Sequence, residues 1–244
     1  MGAEPHLLAD FPDQPLVVCL GGAGGLWSDW LAVAHALHGQ AHVVAVQRAP
    51  GSRSLDEAVA EITKIIQRLP NQPALLVAHS MGGLVGEAMA RLRPELVSGL
   101  VLVDSSVASR PTKLTSFTER ALGASVGIIN ESLKKLSAHA TEVPGAHRWE
   151  LVTTDLANYE LWNDQLMALR EEQSLPAITI IVITALRQSS PTRYSWSRQQ
   201  DRLVKTLRQD NSGARVRHVV LHGAPHLVHL THAAEVAAEV DSLL

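Results

Sequence analysis

The sequence predicts an α/β fold, a doubly wound and mostly parallel sheet with helices on both faces and a helical cap inserted into it. Three observations predict it: short aliphatic runs recur along the chain, helical spacing fills the stretches between them, and one connection is far longer than the rest. The runs are 16–20, 42–46, 74–78, 100–103, 178–183 and 216–221. They are rich in Val and Ile and lack strict alternation, which suits strands covered on both faces, as in a parallel sheet. Leu31, Ala34 and Leu37 in the first connection, and Leu55, Val59, Ile62, Ile66 and Leu69 in the second, recur at helical spacing. Parallel neighbours require crossovers, nearly all right-handed, so helices on both faces follow.

About 70 residues separate Asp104 from Ile178, far beyond the roughly dozen that a crossover needs. Helical patterns at 117–125, 130–140 and 157–170, punctuated by Pro111, Pro144-Gly145 and Pro176, predict a cap over 105–176, with the core in 1–104 and 177–244. A last helix is expected over 233–244. The cap aromatics Phe117, Trp149, Tyr159 and Trp162 either line a pocket or anchor the cap to the core; composition leaves both open.

The 244 residues suit one large domain with an insertion, and 46% hydrophobic against 18% charged residues supply a substantial core. A formal charge of -3 gives no reason to expect nucleic acid. Cys19 is the only cysteine, so no disulfide forms within the chain. No secretion signal is visible and no apolar run approaches the length of a membrane span, so a soluble cytoplasmic protein with no membrane partner is expected.

The most informative stretch is Leu75-Leu76-Val77-Ala78-His79-Ser80-Met81-Gly82-Gly83-Leu84-Val85-Gly86. A buried strand runs into a serine and then small residues, matching G-x-S-x-G with Ala78 in place of the first glycine. Bulk two positions either side of the serine would collide where the strand turns back into the helix, so small residues are needed. Such a turn lifts the Ser80 hydroxyl above the sheet edge and aims the start of the next helix at it.

Here the chain resembles the α/β-hydrolase family, over nearly its whole length. Val17-Val18-Cys19-Leu20-Gly21-Gly22-Ala23-Gly24-Gly25 with Trp27 and Asp29-Trp30 looks like that family's first core strand and oxyanion loop, and 43–54 like its next strand and turn, with Gln47 where aspartate is common. The resemblance implies oxyanion donors at the Ala23 and Met81 N–H groups. Gly22 and Trp27 beside the loop, and Trp162 in the cap, are the residues expected to touch substrate. The same glycines could suggest a dinucleotide site, but the G-x-G-x-x-G spacing fails at Trp27 and Gln47 replaces the acidic ribose-binding residue; Arg48 as a reader of a 2′-phosphate is set aside with it.

A serine needs a base, and among twelve histidines His226 is favoured, because it follows the last aliphatic run and precedes the final helix. The crowding of His218, His222, His226, His229 and His232 lacks the carboxylates or cysteines of a metal site, so no metal and no cofactor are expected. His229 and His232 read as helix-start or surface residues, and His79 as packing at the strand end. The acid departs from the family's commonest position, since 185–193 holds no carboxylate. Asp104, at the tip of the strand after the serine strand, is expected either to orient His226 or to serve structure; Asp155, Glu160 and Asp164 are reserves. Eight basic residues against Asp201 and Asp210 over 187–217 read as a solvated helix face or an attractor of anions.

These features predict a serine hydrolase cleaving a small-molecule ester, thioester, lactone, amide or C–C bond through Ser80, His226 and Asp104. The rival reading is a non-catalytic binding or interaction protein on the same fold. Oligomeric state is not legible.

Overall fold

The computed structural model describes residues 2–49, 51, 54–109, 145–186, 193–210, 213 and 215–244. In chain order the elements are β1 (Glu4–Ala9), β2 (Leu16–Leu20), α1 (Leu31–Ala36), β3 (His42–Gln47), α2 (Leu55–Ile66), β4 (Ala74–His79), α3 (Gly82–Leu92), β5 (Val97–Val103), α4 (Gly145–Ala157), α5 (Tyr159–Glu172), β6 (Thr179–Leu186), α6 (Arg193–Asp210), β7 (Arg215–His222), α7 (Val228–Thr231) and α8 (Ala233–Asp241). Seven strands form one sheet in the order β1-β3-β2-β4-β5-β6-β7, parallel throughout except where β1 runs antiparallel along β3.

The aliphatic runs form strands because both faces of the sheet are covered. Val18, Leu76, Leu100 and Val182 bury one face against α2, α3, α5 and α6, while Val17, Val77, Val101 and Ile181 bury the other against α1 and α8. Successive residues point to opposite faces, so a strand covered twice has no polar side and shows no alternation. The α2 start is fixed by a reciprocal cap: Glu57 N–H donates to Ser54 Oγ at 3.1 Å and Ser54 N–H to Glu57 Oε2 at 2.8 Å.

Three sequence expectations change. β1 went unread, because it is a short edge strand with Pro5 in it and Leu7 exposed, so it lacks a buried run. β7 is half-exposed along its length, since it forms the other edge of the sheet. The helical pattern at 157–170 is α5, preceded by the separate α4, whereas the patterns at 117–125 and 130–140 lie outside the described residues. Trp162, Leu166 and Leu169 of α5 are buried in the same apolar cluster as α2 and α3, with Tyr159 packed against it. No helix among the described residues is long and apolar enough to cross a membrane.

Candidate active site

Ser80 occupies the turn between β4 and α3 with a φ of 50°, a left-handed conformation that an L-residue adopts only when its surroundings enforce it. The enforcement is visible. Ser80 N–H donates to Val103 O at 3.1 Å, and its carbonyl accepts from Gly83 N and Ser106 N, both at 2.9 Å. A Cβ at Gly82 would lie 2.6 Å from Leu20 O, so α3 can start directly above the end of β2 only with glycine there. The turn leaves the hydroxyl at the C-terminal edge of the sheet, where ligands of open α/β sheets bind.

Two further candidates meet Ser80 there. His226 lies in the loop after β7, and its Nε2 is 3.0 Å from Ser80 Oγ. Its Nδ1 is 2.6 Å from Asp104 Oδ2. An ionised carboxylate only accepts, so Nδ1–H donates to Asp104 and Nε2 keeps the lone pair that can take the Ser80 proton. Asp104 ends β5 with a φ of 42° and is 1% exposed. Its Oδ1 accepts from Ala185 N–H at 2.9 Å and from Trp196 Nε1–H at 2.8 Å. One oxygen of the Asp104 carboxylate thus meets the β6 backbone and Trp196, and the other faces His226. Trp196, on α6, also stands edge-on to the His226 ring, 6.1 Å between centroids at 87°. It had escaped sequence reasoning, where its helix was read only for its basic residues.

Of the remaining histidines, His79 and His229 pack behind His226, and His218, His222 and His232 lie elsewhere. His79 is buried, its ring tilted against those of His226 and His229 at centroid distances of 4.6 and 4.3 Å. Burial, with the neighbouring His229 and His226, drives its pKa well below the ordinary value. A neutral ring 2.9 Å from the His226 carbonyl donates through Nε2–H, so His79 tethers the loop that carries His226. His229 is no surface residue: it is 2% exposed, between His79 and Trp30. His218 bonds Thr184 Oγ1 at 2.9 Å, His232 bonds Thr231, and His222 is exposed.

The glycine loop lies against the serine, for a Cβ on Gly22 would come 2.9 Å from Ser80 Cβ. Among the described residues nothing accepts a hydrogen bond from Ala23 N–H or Met81 N–H. Gln47 stands in for an acid, accepting from Trp27 N–H at 3.0 Å and donating to Gly25 O at 3.2 Å. Arg48 turns inward to Gly21 O, Gly22 O and Asp155, so the Asp155 carboxylate pairs with Arg48. The two tryptophans expected at the substrate both make packing contacts. Trp27 stacks flat on His6 of β1 at 4.7 Å, and Trp162 is 2% exposed beneath the Arg48 guanidinium, so its large apolar ring anchors α5 to the core.

Similar proteins fit this architecture. A relative from Cronobacter turicensis named "Putative carbamate hydrolase RutD" is 35% identical over 106 residues, 39% of each chain. Its namesake from Pseudomonas syringae pv. syringae is 31% identical over 121 residues, 46% of each chain, so the matches span less than half the length of either relative. The enol-lactonase of Burkholderia xenovorans LB400 superposes with a TM-score of 0.65 at 19% identity, covering 99% of this chain and 95% of that one, a likeness of fold. The family model described as "Alpha/beta hydrolase family" matches residues 17–239, and the chain belongs to that family.

Proposed function

We propose that the chain is a serine hydrolase that cleaves a small-molecule carboxylic ester through an acyl-enzyme. The observation that carries this reading is the unbroken hydrogen-bonded chain from Ser80 Oγ through His226 to Asp104. As Ser80 Oγ attacks the carbonyl carbon, His226 Nε2 takes its proton, and the imidazolium is stabilised by the buried Asp104 carboxylate. The carbonyl oxygen becomes an anion between the Ala23 and Met81 N–H groups, the second reinforced by the start of α3. His226 then protonates the departing alkoxide, the C–O bond breaks, and water activated by the same His226 releases the acid and restores Ser80.

An ester is favoured over an amide or a C–C bond because an alkoxide is easier to expel than an amide nitrogen or a carbanion; thioesters and lactones would pass through the same steps, as would amides and C–C bonds. Carbamates form a second reading, supported by the name of the curated relatives. A carbamate would leave a carbamoyl group on Ser80, whose slow hydrolysis gives a burst of product followed by a slower steady rate. The test is hydrolysis of p-nitrophenyl esters of increasing acyl length and of a p-nitrophenyl carbamate. We expect turnover of at least one series, lost in Ser80→Ala and His226→Ala; turnover that survives in Ser80→Ala would overturn the assignment.

A further inference from the structure

In the loop Gly21-Gly22-Ala23-Gly24-Gly25 four of five residues are glycine, and glycine visits positive φ as readily as negative. Left to itself such a loop could rotate any of its peptide units. The Gly22–Ala23 unit matters most, because it carries the Ala23 N–H. A trans peptide is planar, with its carbonyl oxygen and N–H pointing to opposite sides, so whatever fixes Gly22 O also fixes the direction of Ala23 N–H.

Arg48 fixes it. Its Nη2 donates to Gly22 O at 2.7 Å and its Nη1 to Gly21 O, while Gly25 N–H adds a second bond to Gly22 O at 3.1 Å. On the other side of Ala23, Gly24 N–H donates to Asp155 Oδ2 at 2.9 Å, and the same oxygen pairs with Arg48 Nη2 at 3.0 Å. The Arg48 and Asp155 side chains are only 10% and 14% exposed. Asp155 comes from α4, 107 residues further along the chain. One ion pair therefore grips the peptide on each side of Ala23 and ties the loop to a helix of the insertion.

We propose that Arg48 and Asp155 are positioning residues that keep the Gly22–Ala23 peptide turned with its N–H toward the oxyanion and its carbonyl away. The proposal rests on the Ser80 reading above. Without the grip, rotation of that peptide would put the Gly22 carbonyl where the N–H belongs, replacing attraction of the developing anion by repulsion. The second oxyanion donor would then exist only while Asp155 on α4 is docked against the loop.

The test is the second-order rate at which an alkyl fluorophosphonate phosphonylates Ser80, measured across pH for the unaltered chain, Asp155→Asn, Asp155→Ala and Arg48→Lys. Asp155→Asn keeps the side-chain shape and an acceptor for Gly24 N–H while removing the charge that holds Arg48. The labelling end point counts folded sites, so the rate is independent of how much of each variant folds. Loss of an oxyanion donor slows reaction by about 10²–10³, and we expect about 10–100-fold for these indirect changes, largest in Asp155→Ala. The pH at half-maximal rate should stay where it is in the unaltered chain, because His226 and Asp104 are untouched. Folded variants that label at the original rate would overturn the proposal, as would a rate loss accompanied by a shifted midpoint, which would assign the effect to His226. An unaltered chain that fails to label at Ser80 would instead overturn the serine-hydrolase reading on which it stands.

Discussion

Two buried charge clusters flank α3, and they hold different things. Behind the helix, Glu87 accepts from Arg91 Nη2 at 2.8 Å and from Arg170 Nε and Nη2, both at 2.7 Å, while Arg91 also pairs with Asp210. That cluster joins α3, α5 and α6 side chain to side chain. At the loop end, Arg48 and Asp155 spend most of their hydrogen bonds on the backbone of residues 21–24. The same chemistry thus locks helix packing in one place and peptide orientation in the other. Damage to the first should appear as stability, and damage to the second as rate.

The largest expected effect sharpens the rate side. Asp104→Asn should lower turnover by roughly 10⁴, the scale of the equivalent change in a serine protease, because the amide can no longer favour the proton on Nδ1. Thermal unfolding should move little, since Ala185 N–H and Trp196 Nε1–H can still donate to the amide oxygen; an unchanged turnover would reduce Asp104 to a structural role.

Next in size, Glu87→Gln takes from the buried Arg170 its paired carboxylate and leaves Arg91 with Asp210 alone, and should cost about 3–5 kcal/mol in denaturant unfolding. Its labelling rate per folded molecule should match the original, and a slowed rate would break the contrast between the clusters. Acid unfolding probes the same residue. Burial by itself raises the Glu87 pKa, but Arg170 and Arg91 overcome it and hold the carboxyl at about 2. A depressed pKa stabilises the fold fully above the unfolded value, so this contribution should fade as pH falls from about 4.5 toward 2. In Glu87→Gln that part of the acid dependence should vanish.

The smallest effect concerns Trp196. Trp196→Phe keeps the ring near His226 but removes one of three donors to the Asp104 carboxylate, so turnover should fall about 10-fold, in line with a hydrogen bond to a charged group. Equal turnover would mean that Ala185 N–H alone suffices to hold Asp104.

The same contrast explains what could be read beforehand. Strands β2 to β6 were legible because double burial writes an unbroken aliphatic run into each of them, whereas β1, half-exposed and carrying Pro5, leaves no such mark. Ser80 and His226 were legible because a strained turn needs small neighbours and a base must follow in chain order. Asp104 emerged from the empty acid position after β6. The contacts of Trp196, Arg48 and His79 were not legible. Trp196 meets Asp104, 92 residues away, Arg48 meets Asp155, 107 away, and His79 meets the His226 carbonyl, 147 away; Arg48 also bonds the Gly21 and Gly22 carbonyls, and backbone carbonyls demand no residue type. The packing of Trp27 on His6 and of Trp162 under Arg48 was not legible for the converse reason: an aromatic ring near a site in sequence suits packing and substrate contact equally.

The central claim is that Ser80 is a nucleophile primed by His226. Intact-mass and peptide mapping of the folded chain after exposure to a fluorophosphonate tests it most directly. One adduct per chain, located on Ser80, absent in Ser80→Ala and formed far more slowly in His226→Ala, is the predicted result; a folded chain that stays unlabelled, or carries its adduct elsewhere, would contradict it.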